Sequence, residues 1–198
     1  MNKLIFKYGV MGSSKTANLL MEKFNYEENN KNVLLLKPTL DTRESKKIVK
    51  SRIGIQAEAI AFQKEDNLES IILSNNLQLP VGYRYDVVMI DESQFLTKQQ
   101  VEQLRNIVDT QYITVICYGL KTDINGNLFE GTAKLLAIAD SIKELKYICK
   151  CGSKATMHVR YINGKIDVSN KVIAVEKANI TYDSVCRKCW KEIRSLER

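Results

Sequence analysis

Gly9-Val10-Met11-Gly12-Ser13-Ser14-Lys15-Thr16 has the spacing of a loop that holds a polyphosphate. In the pattern G-x-x-x-x-G-K-[ST], small residues let successive backbone N–H groups surround phosphate oxygens. The following helix adds the positive end of its dipole, the lysine reaches the outer phosphates, and the hydroxyl reaches a magnesium ion. One position departs from the pattern: Ser14 stands where the second glycine belongs. Either the backbone there avoids positive φ, or serine adopts it at a cost in strain. A second group follows downstream. Val87-Val88-Met89-Ile90 is an apolar run that ends in Asp91-Glu92, the form of a Walker B segment. Successive strand residues point in opposite directions, so the two carboxylates can divide the work: one holds hydrated Mg²⁺, the other takes a proton from an attacking hydroxyl. The third group is Cys149-Lys150-Cys151 and Cys186-Arg187-Lys188-Cys189, two close thiol pairs 34 residues apart. Such pairs can supply four thiolates to tetrahedral zinc at ~2.3 Å, and four sulfur ligands leave no position open for catalysis, so the zinc is structural. The C-x-C spacing is tighter than the commoner C-x₂-C.

These groups need elements to hold them. Leu4-Ile5-Phe6 with Tyr8 reads as a strand, and Thr16–Asn25 as a helix with Leu19, Leu20 and Phe24 on one face. Val33–Leu36 is a continuous apolar run, as expected of a strand buried on both sheet faces, and Pro38 ends it. Residues 39–52 are polar and basic without a clear period, which predicts a mobile loop or an exposed helix. Ala57–Phe62 predicts a third strand, Leu68–Leu73 a helix, and Val87–Ile90 a further strand. Thr97 caps a helix in which Val101, Leu104, Ile107 and Val108 recur at helical spacing. Ile113–Tyr118 is a buried strand with Cys117 in the core. Gly119–Gly131 is a loop with a turn at Asn125-Gly126, and Leu135, Leu136 and Ile138 mark a short helix before a strand around Leu145–Ile148. Strands alternating with helices predict an α/β domain with a largely parallel sheet. Beyond Cys151 the texture changes: Met157–Ile162 and Lys171–Val175 flank Asn163-Gly164, which predicts a β-hairpin. His158, the only histidine, reads as a strand surface residue.

Composition bounds the answer. A chain of 198 residues with 44% hydrophobic and 27% charged residues is an ordinary globular protein. No apolar run approaches the ~18 residues of a membrane helix, and the start lacks the pattern of a signal peptide, so a cytoplasmic protein is expected. The net charge of +7 is unevenly placed: residues 1–142 hold 17 basic and 17 acidic side chains, residues 143–198 hold 13 and 6. Four of the five cysteines lie in the same basic segment. So small a segment needs a staple, and in a reducing compartment metal is the expected one. The expected division is a core over 1–148 and a zinc-stapled lobe over 149–198.

In sequence order, the loop Gly9–Thr16, Lys37-Pro38 with Asp41-Thr42-Arg43, Asp91-Glu92-Ser93-Gln94-Phe95, Cys117–Asp123, Leu128-Phe129 and Tyr182–Arg187 resemble the type II thymidine kinases over nearly the whole chain. The resemblance implies a P-loop NTPase core plus a small zinc-binding β lobe with a lasso-like loop. It implies ATP-dependent phosphorylation of the 5′-hydroxyl of thymidine, and of deoxyuridine, with Glu92 as general base. Gly9, Val10, Met11, Gly12, Ser13, Ser14, Lys15 and Thr16 would hold the ATP phosphates, Asp91 would help to bind Mg²⁺, Gln94 would lie against nucleotide, and Arg43 would neutralise transferring phosphate. Met11, Phe95, Leu120, Ile124 and Phe129 would surround the pyrimidine, with Tyr182 closing the site. Backbone groups of a C-terminal loop, chiefly those of Val175 and Lys177, would grip the base. Cys149, Cys151, Cys186 and Cys189 would hold structural Zn²⁺. Two positions depart from the family: an aromatic is usual where Ile124 stands, and many relatives carry Gly-Gly close to Lys177. A homotetramer, feedback binding of thymidine triphosphate, and no nucleic-acid or membrane partner are also implied. Two other classes stay open on the residues alone. One is a degenerate NTPase core with a basic zinc ribbon that grips nucleic acid, although the tail has little aromatic interleaving. The other is a P-loop ATPase with water as acceptor.

Overall fold

The computed structural model describes residues 2–40, 47–167, 169 and 179–195. The central sheet has the order β5-β2-β6-β7-β1-β8, built from β1 (Leu4–Gly9), β2 (Val33–Pro38), β5 (Ile60–Phe62), β6 (Val87–Ile90), β7 (Thr114–Gly119) and β8 (Ser141–Leu145). Every neighbouring pair in it is parallel. The apolar runs are continuous because both faces are covered. Leu34 and Leu36, Val88 and Ile90, and Val115 and Cys117 face one layer with Leu4 and Phe6. There α2 (Leu68–Asn76), α3 (Lys98–Gln111) and α4 (Glu130–Ile138) cover them with Leu68, Ile72, Leu104 and Leu135. The alternate residues Leu35, Val87, Met89, Ile116 and Tyr118 face Leu19 and Leu20 of α1 (Lys15–Glu28), together with Val49 and Ala59.

Local chemistry sets the helix starts. Thr97 caps α3 in a reciprocal box with Gln100, each side chain bonded to the other's backbone N–H at 3.1 Å. The Asn67 side chain accepts from Ser70 N–H at 2.9 Å and starts α2.

Three segments differ from expectation. Residues 48–50 form β3 (Ile48–Lys50), paired antiparallel with β4 (Gln56–Glu58), where a loop or helix was predicted. The single strand expected over 57–62 is split, because β4 follows β3 while β5 turns parallel to β2. The last core strand is Ser141–Leu145 rather than 145–148. Among the described residues it pairs on one side only, and with Ile142 and Lys143 exposed it leaves no regular apolar signature.

The C-terminal lobe packs β9 (Met157–Ile162) between β10 (Lys165–Ile166) and β11 (Ile180–Val185), followed by α5 (Arg187–Ser195). Asn163 and Gly164 both have positive φ, 51° and 78°, as a tight two-residue hairpin turn requires. The hairpin thus forms with β10 as its short second arm, and the arm expected at Lys171–Val175 lies outside the described residues. Val10 of the core packs into the lobe cluster of Cys149, Met157, Val159 and Val185. Among the described residues no helix is long and apolar enough to cross a membrane.

Candidate active site

The turn from β1 to α1 forms the floor of the site. Gly9 is required by packing: a Cβ there would lie 2.2 Å from Ser13 Oγ and 2.7 Å from the Leu145 carbonyl. Gly12 takes φ +79°. Ser14 resolves the question its identity raised, since it adopts the left-handed conformation, φ 58° and ψ 28°. For an L residue this costs roughly 1–2 kcal/mol. Its carbonyl in turn accepts from Asn18 N–H and Asn18 Nδ2, both at 2.9 Å, which ties it to the first helical turn. Ser14→Gly should relieve the strain and raise the melting temperature by about 2–4 °C, as about 1 kcal/mol does in a domain of this size. Calorimetry of the two proteins checks this.

The loop is joined to the carboxyl edge of the sheet. Thr16 Oγ1 donates to Asp91 Oδ2 at 3.1 Å. The Lys15 ammonium is buried and folds back to the Val10 carbonyl at 2.9 Å. Glu92, two residues past β6, also has a left-handed backbone (φ 50°) and opens a single 3₁₀ turn, Ser93–Phe95. Among the described residues, two of the five non-glycine positions with positive φ therefore lie in this one site, the pattern of strain held at functional positions. The Gln94 side chain fixes the carboxylate. Its Oε1 accepts from Leu120 N–H at 2.9 Å, which turns its Nε2 toward Glu92 Oε2 at 2.5 Å. Gly119 permits this contact, because a Cβ there would come within 2.9 Å of the Gln94 backbone nitrogen.

Beside these groups lies a cleft of about 110 Å³, walled by Met11, Gly12, Ser14, Lys15, Thr16, Glu92 and Leu120. A further part of its wall is Lys50, Ser51, Arg52 and Ile53, the end of β3 and the turn after it. That wall was not foreseen. The only hint was the basic composition of residues 39–52, which carries no positional information. Phe95 and Phe129 stand edge to face with ring centres 6.4 Å apart, and Phe95 directly follows Gln94. Ile124 is buried, and its carbonyl accepts from Trp190 Nε1 at 3.1 Å. Tyr182 is half-buried on β11, opposite Arg160. Neither Ile124 nor Tyr182 is among the cleft-wall residues. Arg43, Val175 and Lys177 lie outside the described residues.

His158 corrects the sequence expectation. It is buried rather than on a surface, and its Nε2 accepts the Met11 backbone N–H at 3.1 Å. Burial, helped by the nearby Lys15 ammonium, pushes its pKa down to about 4, against opposing contributions from the backbone and charge of Asp123 and the backbone of Thr122. Cys117 is fully buried in the core, as expected.

The four lobe cysteines converge. Their sulfur atoms all lie within 4.8 Å of one another, and Cys151 Sγ is 3.6 Å from Cys186 Sγ. Four sulfurs at ~2.3 Å from a tetrahedral centre stand ~3.8 Å apart, so this donor set fits zinc and is too open for a disulfide. Gly152 takes φ +87°, closing the first pair's turn with its N–H on the Cys149 carbonyl, and Cys189 N–H points at Cys186 Sγ. Hydrogen bonds from the backbone and hydroxyl of Ser153 draw the Cys151 thiol down to about 6. Sharing hydrogen bonds with Cys151 and Cys186 pushes Cys189 up to about 12.

The thymidine kinase family profile matches residues 2–190. The chain is 43% identical over 197 residues to the thymidine kinase of Idiomarina loihiensis, covering 99% of this chain and 100% of that protein. It is 42% identical over 193 residues to that of Rhodopirellula baltica (97% and 89%) and 42% identical over 195 residues to that of Enterobacteria phage T4 (98% and 97%). The match of the family profile over residues 2–190, with relatives aligned along nearly the whole chain, places it in the thymidine kinase family of enzymes.

Proposed function

We propose that the chain transfers the γ-phosphoryl group of ATP to the 5′-hydroxyl of thymidine, and of deoxyuridine, giving the 5′-monophosphate and ADP. The observation that carries this reading is the 3.1 Å hydrogen bond from Thr16 to Asp91. It locks the phosphate loop to the strand end that bears Glu92, in one cleft.

Backbone N–H groups of Gly9–Thr16 receive the triphosphate, and Lys15 exchanges the Val10 carbonyl for the outer phosphates. Thr16 and Asp91 would hold Mg²⁺, which would supply neutralisation of the phosphate charge. Glu92 takes the 5′-hydroxyl proton as that oxygen attacks γ-phosphorus and the bond to ADP breaks. The Gln94 amide keeps the carboxylate aimed. A positioned base of this kind contributes about 10²–10⁴-fold. Arg43 neutralises the transferring phosphate. Met11, Phe95, Leu120, Ile124 and Phe129 supply apolar surface for a pyrimidine, Tyr182 closes over it, and backbone groups of Val175 and Lys177 read the base.

In this scheme residues 1–148 bind ATP, and residues 149–198, stapled by Zn²⁺ on the four cysteines, cover the nucleoside. A cytoplasmic homotetramer with thymidine triphosphate as feedback ligand completes the reading. The test is a nucleoside panel with γ-labelled ATP. Thymidine and deoxyuridine should accept label, and purine nucleosides at least about tenfold less, the discrimination expected of a pocket shaped for the smaller base. Equal labelling of purines would defeat the pyrimidine assignment.

A further inference from the structure

The phosphate loop is held from outside by two residues of the C-terminal lobe. His158 on β9 and Ser184 on β11 face each other directly in the strand register. Both reach the same residue: Met11 N–H donates to His158 Nε2 at 3.1 Å, and Ser184 Oγ donates to the Met11 carbonyl at 2.7 Å. Accepting the Met11 N–H requires an unprotonated Nε2, so the neutral ring carries its proton on Nδ1. Buried and beside the Lys15 ammonium, the ring stays neutral at physiological pH.

The other end of the same peptide plane carries the loop's cation. The Val10 carbonyl, in the peptide unit whose N–H belongs to Met11, accepts from Lys15 Nζ at 2.9 Å and from Ser13 N–H at 3.2 Å. The Val10–Met11 peptide is therefore fixed at its N–H by His158 and tied at its C=O to Lys15 and Ser13. If the imidazole is lost, the plane can rotate, and Lys15 loses its parking place. The part-buried Met11 N–H is then left without its acceptor, which adds a desolvation cost to the lost bond.

We propose that His158 and Ser184 are positioning residues for ATP: an opposed pair on the lobe clamps Met11 and so sets the orientation of the phosphate loop and of Lys15. The inference rests on the kinase reading above. It adds that the lobe, expected only to cover the nucleoside, also governs phosphate binding from the far side of the loop.

The experiment uses the full-length zinc-loaded chain and steady-state kinetics with each substrate varied. His158→Leu should raise the KM for ATP about tenfold, the effect of one lost hydrogen bond of about 1.4 kcal/mol. The KM for thymidine should change much less. His158→Gln, whose amide oxygen can accept near the Nε2 position, should stay within about threefold of the wild type. Ser184→Ala should raise the KM for ATP about threefold, and it provides the same signature should the leucine variant fold poorly. Two results overturn the clamp: an unchanged KM for ATP in both His158→Leu and Ser184→Ala, whatever the change in melting temperature, or a glutamine variant no better than leucine. A wild-type chain that binds no ATP overturns the kinase reading itself, and the two failures are thereby distinct.

Discussion

Glu92→Gln should lower kcat by about 10³-fold while changing the affinity for ATP by less than about twofold, since the amide keeps the shape and loses only the proton acceptor. The structure makes this substitution unusually clean. Glu92 is held by its own left-handed backbone at the end of β6 and by the Gln94 amide at 2.5 Å. Glutamine fits the same space, and its carbonyl oxygen can still accept from Gln94. The phosphate loop is bonded to Asp91, not to Glu92, so nucleotide binding keeps its supports. Single-turnover rates and ATP titration separate the two quantities. Turnover retained within tenfold would remove Glu92 as the base. An equal loss of ATP affinity would show instead that it shapes the phosphate site.

The second large effect concerns the metal. Cys186→Ser should reduce bound zinc from one per chain to near zero and lower the melting temperature by on the order of 10 °C, because metal-binding energy in such a lobe is folding energy. Cys186 is buried, contacts Cys151 Sγ, and accepts from Cys189 N–H. It also stands two residues beyond Ser184, which bonds to the phosphate loop. Loss of the staple should therefore weaken both thymidine and ATP binding. Metal analysis by mass spectrometry with calorimetry checks the prediction. Active wild-type protein without zinc would refute it.

The fold was legible wherever burial wrote a pattern. Val33–Leu36 and Val87–Ile90 are apolar at every position because both sheet faces are covered, and they became β2 and β6. Thr97 with Gln100 marked the start of α3 by cap chemistry alone. β8 was displaced by a few residues because an edge strand with exposed Ile142 and Lys143 has no periodic signal. The β3–β4 ribbon was missed for a related reason. It is two runs of three residues, only one of the six buried, and only its pairing makes it a strand.

The site divides in the same way. Gly9–Thr16, Asp91-Glu92 and the four cysteines stood out in the sequence because each proposed chemistry demands particular residue types at particular spacings. The choice of conformation at Ser14 was not readable, since serine permits either and only the surrounding fold selects φ 58°. His158 was misread because a single histidine on a strand carries no information about which face is buried. Its partner, Met11, lies 147 residues away. Lys50 to Ile53 joined the cleft through the ribbon, a tertiary fact with no local counterpart.

The most direct test of the central claim is to incubate the zinc-loaded chain with γ-labelled ATP, Mg²⁺ and thymidine, and to identify the labelled product by chromatography and mass. The expected product is thymidine 5′-monophosphate, formed only when thymidine is present and lost in Glu92→Gln. Label appearing solely in inorganic phosphate at the same rate with and without thymidine, or no transfer alongside tight, salt-dependent DNA binding, would contradict it.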